Sequence, residues 1–209
     1  MNEIQNFVSW CDENCLELNV SKTKELIIDF RKSGNKHQPI FIKSQEVEIV
    51  SEYKYLGVFI DKDLQWNAHT KHVQYKMNQR MYFLSTLSKF HVDKTICTLF
   101  YKSLIESIMY FCITVWGGNC GEVNRSGFQR IIKKANKTTN EIDSFQQLYS
   151  KACSRKFESL INDPSHPLNS KITISNHSGR ILSLRCKTQR YLNSFLPYAC
   201  RLFNSIHIR

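Results

Sequence analysis

Tyr53-Lys54-Tyr55-Leu56-Gly57-Val58-Phe59-Ile60-Asp61-Lys62-Asp63-Leu64-Gln65-Trp66 is the stretch at which the pattern of the chain changes. Up to Ile60 it is aromatic and β-branched, the composition of a strand, and Gly57 within it predicts a bulge or a close approach by another backbone. Beyond Asp61 the apolar period lengthens from two to about 3.6, with Val73, Met77, Met81, Leu84 and Leu87 on one helical face. Strands therefore precede helices instead of alternating with them, which is the α+β arrangement.

On the N-terminal side, Ile4, Phe7, Val8, Cys11 and Cys15 are spaced as an amphipathic helix with Trp10 near its edge, ended by Leu18-Asn19-Val20-Ser21. A strand is expected over 25–30, closed by the turn residues Ser33-Gly34-Asn35, and Ile40-Phe41-Ile42 with Val47-Glu48-Ile49-Val50 read as a short hairpin. On the C-terminal side Asp93 is placed to cap a second long helix in which Ile96, Phe100, Leu104, Ile108 and Phe111 recur, and Gly117-Gly118 ends it. Helical patterns follow at 128–137, 145–161 and 197–204, with Asp163-Pro164-Ser165-His166-Pro167 as a turn before the last. The expected organisation is a small partial antiparallel sheet over 1–63, a helical segment over 64–120 and a basic tail, helical and irregular, over 121–209.

Charge follows the same division. The 209 residues hold 29 Lys and Arg against 18 Asp and Glu, a formal charge of +11. Residues 1–63 carry 8 basic and 11 acidic side chains, so 64–209 carry 21 and 7, a net +14; no carboxylate side chain follows Asp163. A hydrophobic content of 42% with only 7 Gly and 4 Pro excludes a collagen-like or generally disordered chain. The most apolar run, 108–116, is far shorter than the roughly 18–20 residues a membrane span needs. The start Met-Asn-Glu-Ile-Gln-Asn has neither the positive charge nor the apolar run of a signal peptide, so an intracellular protein, nuclear or cytoplasmic, is expected. Its eight cysteines include no Cys-x-x-Cys and are expected to be buried, reduced thiols.

Candidate chemistry is sparse. Asp61 and Asp63 form a D-x-D at a strand end, the sort of carboxylate pair that can hold metal ions, but the sequence lacks adjacent aspartates and a solvated turn accounts for the pair. His91-Val92-Asp93 is half of an iron-binding triad, with His166, His177 or His207 as a distant third ligand. It lies between two predicted helices, where Asp93 serves as an N-cap and His91 as a connector. No G-x-S-x-G, G-x-x-x-x-G-K-[ST] or G-x-G-x-x-G occurs. What remains is basicity interleaved with aromatics: Arg130, Lys133, Lys134 and Lys137 on one predicted helix, then Arg180, Arg185, Lys187 and Arg190 in an acid-free stretch. Phosphate backbones are the usual partners of such surfaces, because each neutralised phosphate releases counterions.

Several strings resemble the reverse transcriptase of non-LTR, LINE-type retrotransposons. Trp10 to Asn19 (Trp-Cys-Asp-Glu-Asn-Cys-Leu-Glu-Leu-Asn), then Ser21-Lys22-Thr23-Lys24-Glu25 and Asp29-Phe30-Arg31, are similar to the end of the palm with its lysine-bearing loop. Tyr53-Lys54-Tyr55-Leu56-Gly57-Val58, Ile60-Asp61 and Leu64-Gln65-Trp66 are similar to the primer-grip hairpin, and the helices over 69–111 to the thumb. His166-Pro167-Leu168, Arg185, Thr188-Gln189-Arg190, Asn193-Ser194-Phe195-Leu196-Pro197 and Arg201-Leu202-Phe203-Asn204 resemble the tail that closes many such reading frames. The catalytic Tyr/Phe-x-Asp-Asp turn and the earlier palm aspartate belong before Trp10, where nine residues stand, so the resemblance implies a polymerase lacking its N-terminal portion and active site.

That resemblance implies roles for Tyr55-Leu56-Gly57 against the primer end, for Lys22 and Lys24 near the triphosphate or template, and for Lys71, Lys76 and Arg80 on duplex phosphates. With Arg130, Lys133, Lys134, Arg185 and Arg190 these form the expected surface for RNA or DNA, held without sequence preference. It implies no cofactor in this fragment, since Mg²⁺ belongs to a complete polymerase. Part of the palm-to-thumb stretch is also similar to the N-terminal domain of AlkB-type alkylated-DNA-repair homologues, a family linked to tRNA methyl transfer and 2-oxoglutarate-dependent oxidation. The sequence displays none of the iron or S-adenosylmethionine machinery of those activities.

Overall fold

The computed structural model describes residues 2–31, 37–175, 179–182 and 184–206. The chain divides into two compact units, 1–65 and 66–209.

In the first unit, α1 (Asn2–Glu13) leads into a 3₁₀ turn (Val20–Lys22) and then, among the described residues, six short strands: β1 (Lys24–Leu26), β2 (Phe41–Ile42), β3 (Gln45–Glu46), β4 (Glu48–Val50), β5 (Glu52–Tyr55) and β6 (Val58–Asp61). They form three two-stranded ladders. β2–β3 and β5–β6 are antiparallel, and β1 pairs with β4 in parallel, Lys24 opposite Glu48 and Leu26 opposite Val50. The hairpin expected between 40–42 and 47–50 instead closes at Lys43-Ser44, with Ile42 opposite Gln45, which frees 48–50 to pair with β1. Likewise, the single strand read over 53–60 is a hairpin. Leu56 and Gly57 both take positive φ, +47° and +91°, the geometry of a two-residue turn whose twist matches its strands. The turn residues expected at Ser33-Gly34-Asn35 lie outside the described residues. A small core of Val8, Ile42 and Val47, flanked by Ile4, Leu18, Val20 and Ile40, holds this unit together.

The second unit is helical: α2 (Asn67–Lys89), α3 (Lys94–Phe100), a π-helical segment (Tyr101–Glu106), α4 (Ser107–Tyr110), α5 (Ile113–Trp116), a 3₁₀ turn (Gly117–Asn119), α6 (Glu122–Ala135), α7 (Phe145–Ile161), α8 (Gln189–Asn193) and α9 (Phe195–Ile206). Strands followed by helices make the chain α+β. Trp116, fully buried, is the hub: Phe128, Phe145 and His69 surround it with ring centroids 5.5, 5.8 and 5.2 Å away, and its Nε1 donates to the Phe111 carbonyl at 3.0 Å. Ser144 begins α7 with a capping box shared with Gln147, two donors satisfied reciprocally.

The second long helix differs from its expected register. Its buried face is Cys97, Tyr101, Ile105, Met109 and then Ile113, while Ile96, Leu104 and Phe111 are exposed. A strict four-residue repeat drifts around an ordinary α-helix, and the wider turn of the π segment takes up that drift and keeps the stripe on one face. Among the described residues no single helix is long and apolar enough to cross a membrane.

Candidate nucleic-acid interface

α2 and α6 carry most of the cations in question, and their sequences dictate which faces they show. α2 buries His69, Thr70, Val73, Met77, Met81 and Leu84, so Lys71, Tyr75, Asn78 and Tyr82 run along its opposite side. It contains no acidic residue; none occurs between Asp63 and Asp93. α6 buries Asn124, Gly127, Phe128, Ile131, Ile132 and Ala135, and leaves Arg130, Lys133 and Lys134 exposed. The two helices are tied together where the Gln74 amide donates to the Asn124 carbonyl at 2.8 Å and the Asn124 amide donates to the Asn67 side-chain oxygen at 3.0 Å.

Of the residues singled out in the sequence, Lys71, Lys76, Arg130, Lys133 and Lys134 are thus exposed on neighbouring helices of one unit. Among the described residues, no carboxylate lies within ion-pair distance of Lys71, Lys76, Lys133 or Lys134. Arg80 is half-buried and its guanidinium donates to the Leu104 carbonyl, inside the π segment. Arg185 is exposed. Arg190 is half-buried at a junction, where its carbonyl accepts from the Asn119 amide at 3.2 Å. The rest belong to the first unit. Lys22 is exposed at the end of its 3₁₀ turn, and Lys24 is paired with Glu48 of the neighbouring strand at 2.5 Å. Tyr55, Leu56 and Gly57 form the exposed tip of the β5–β6 hairpin.

The carboxylate and histidine candidates have local duties. Asp61 Oδ1 accepts from the backbone N–H of Asp63 at 3.1 Å and of Gln65 at 2.9 Å, a side-chain-closed turn. The Asp93 carboxylate accepts from the Thr95 N–H at 2.7 Å as the N-cap of α3, and hydrogen bonding from the Thr95 side chain and then its N–H holds its pKa below the usual carboxylate range. His91 sits at φ +56° after α2; its N–H reaches the Ser88 carbonyl and the Val92 N–H reaches Leu87, which is a Schellman ending of the helix. His166 Nδ1 accepts from the Leu168 N–H, while His177 and His207 lie outside the described residues. Among the described residues no three His, Cys, Asp or Glu side chains converge to hold a metal ion.

Burial sets the remaining titrations. His69, packed on the edge of Trp116, is pushed down to about 4 by burial and by the neighbouring His72, so it stays neutral. Burial raises Glu106, and lifts the thiols of Cys120 and Cys153 to about 12 and about 11. Cys11, Cys97, Cys120, Cys153 and Cys200 are buried free thiols, Cys112 and Cys186 half-buried, and Cys15 exposed. Thiols held protonated in this way are poor nucleophiles.

Sequence inspection missed Gln74, Asn78, Tyr75 and Tyr82. The signal was present: Lys71, Tyr75, Asn78 and Tyr82 recur at four, three and four residues, on the side of α2 opposite the apolar stripe. The stronger apolar stripe on the opposite face masks it.

The candidate surface is therefore that of a helical unit that presents exposed cations and exposed aromatic rings. One family model matches within it, over residues 66–107, which spans α2 through the π segment, about a fifth of the chain; its description is Alkylated DNA repair protein alkB homolog 8, N-terminal. No curated protein and no solved structure matches the chain.

Proposed function

We propose that the helical unit, 66–209, is a non-catalytic module that binds nucleic acid without sequence preference. The observation that carries this reading is the set of solvated cations on α2 and α6, unneutralised by nearby carboxylates, in a segment with a net +14 over 64–209. Exposed Lys and Arg of this kind engage phosphates, which position a nucleic acid without reading its bases. Similarity of 66–107 to the N-terminal region of an alkylated-DNA-repair homologue supports the same partner class. Methyl transfer and 2-oxoglutarate-dependent oxidation form no part of the proposal, since the match covers residues 66–107 alone.

A second reading, the partial palm, thumb and tail of a retroelement reverse transcriptase, rests on the ordered strings from Trp10 to Asn204. Both readings give the helical unit the task of holding a nucleic acid. The test is a salt series on the full chain with labelled oligonucleotides of unrelated sequence. The expected result is similar affinity for each sequence and a linear fall of log affinity with log salt. Affinity that stays constant as salt rises would sink the electrostatic reading.

A further inference from the structure

Between α2 and α6 runs an open groove of about 340 Å³, lined by Gln74 and Asn78 from α2 and by Gly127, Arg130, Ile131 and Lys134 from α6. A Cβ at position 127 would lie 2.6 Å from the Gln74 amide, so glycine leaves the space that this amide occupies in the groove. The α6 bank holds two exposed cations, and Asn78 supplies an amide to the floor.

The α2 bank is made of amides, and exposed aromatic rings stand beside it on the same helix. Tyr75 stands three residues before Asn78 and Tyr82 four residues after it, so both lie on the side of α2 that carries Asn78. They are 62% and 70% exposed, large rings that contribute little to the core of their own unit. At 1.5 Å per residue the two are about 10 Å apart along the helix, roughly three base steps of 3.4 Å. No acidic side chain occurs on α2, and the single one on α6, Glu122, is two turns before Arg130.

We infer that the α2–α6 groove binds a single-stranded stretch of RNA or DNA, with phosphates on Arg130 and Lys134 and bases stacked on Tyr75 and Tyr82. A groove lined by exposed cations with aromatic faces beside it brings together the two elements of sequence-tolerant single-strand binding. A duplex offers the cations its phosphates but keeps its base faces stacked inside, so the tyrosines would gain nothing from it. This assignment rests on the reading of the helical unit as a nucleic-acid binder, and deepens it by naming the form of nucleic acid and its seat.

The test uses the full chain and fluorescence anisotropy with four probes: a labelled 12-mer of thymidylate, an abasic backbone of the same length, a 12-base-pair duplex, and polyglutamate as a competitor. The expected order is thymidylate at least tenfold tighter than the abasic strand or the duplex. Y75A and Y82A should each weaken thymidylate binding about tenfold while leaving the abasic strand unchanged, and Y82F should keep most of the affinity. R130Q with K134Q should weaken every probe and flatten the single-strand salt slope by about 1.4. Circular dichroism equal to that of the unsubstituted chain qualifies each variant, and Y82F serves where Y82A fails that check. A duplex bound as tightly as the single strand, tyrosine variants without effect, or displacement by polyglutamate at equal charge would each overturn the groove assignment while general nucleic-acid binding stands. Absence of binding to every nucleic-acid probe would overturn the underlying reading as well.

Discussion

Gly118 is under a tighter steric demand than Gly117 or Gly127. A Cβ there would sit 2.0 Å from the Asn193 carbonyl and 2.5 Å from the Tyr149 hydroxyl, where α8 docks on the 3₁₀ turn after Trp116. Gly127, by contrast, faces the movable end of Gln74. G118A is therefore expected to cost about 3 kcal/mol and G127A less, in denaturant unfolding of the two variants side by side. Arg125 serves the same turn: its guanidinium donates to the carbonyls of Cys120, Gly117 and Gly118 at 3.0, 3.3 and 2.9 Å, so this cation is structural. His69 makes a pH prediction. Its folded pKa of about 4 lies below the ordinary 6.5, so the unfolded chain takes up the proton first. The stability that neutral His69 supplies is complete above pH 6.5 and is lost as pH falls from 6.5 toward 4. H69Q should flatten that slope; titrating both proteins by thermal melts cancels the opposite contribution of Glu106, whose acid form burial favours. An unchanged slope in H69Q would assign the acid sensitivity elsewhere.

The long helices, the capping role of Asp93 and the turn at Asp61 were legible in the sequence, because each has a local cause: apolar period, an N-cap carboxylate, a side-chain-closed turn. The face that α3 and its π continuation bury was not legible. Both candidate stripes are apolar, and the stripe Ile96-Phe100-Leu104-Ile108-Phe111, with its one three-residue step, suits an ordinary α-helix better than the unbroken four-residue stripe that a π turn accommodates. The two stripes make opposite forecasts at adjacent residues. I105A should cost about 3 kcal/mol, because Ile105 is fully buried, whereas L104A should cost under about 1. Equal losses would mean that the helix is rotated from the arrangement described. Arg80 was equally hidden from sequence: its position on α2 suggests a phosphate contact, and only the fold shows the Leu104 carbonyl in front of it. The β5–β6 hairpin was half legible. Gly57 announced an unusual backbone, but the positive φ of Leu56 beside it, which turns the chain back on itself, carries no mark in composition.

The two units are built to different standards, and the difference follows from how much each can bury. The helical unit packs Trp116, Tyr101, Tyr149, Phe128 and Phe157 with almost no exposure, alongside aliphatic side chains from α2 to α9. The first unit has Val8, Ile42 and Val47 at its centre, and leaves Phe7, Trp10, Phe30 and Phe41 about half exposed. Its ladders are two strands each, below the three or more that a sheet needs for independent stability, and the β1–β4 pair is only three residues long. Its charge is also the mildly negative one, so the segment that holds the positive surface and the segment with the weaker core are distinct parts of the chain. Local opening free energies track buried apolar contact and protected backbone hydrogen bonds. Hydrogen exchange on the full chain should therefore show amides of β1, β4, β5 and β6 exchanging at least a hundredfold faster than those of α2, α6 and α7 once intrinsic rates are divided out. Two thermal transitions should accompany it, the lower reported by the strand amides and the upper by Trp116 fluorescence, read in a W10F W66F background. Salt-dependent nucleic-acid binding should persist between the two transitions, since the cations on α2 and α6 belong to the unit that melts last. A single cooperative transition, with strand and helix amides protected alike, would show instead that the small unit draws its stability from the large one, and binding would then be lost in the same step.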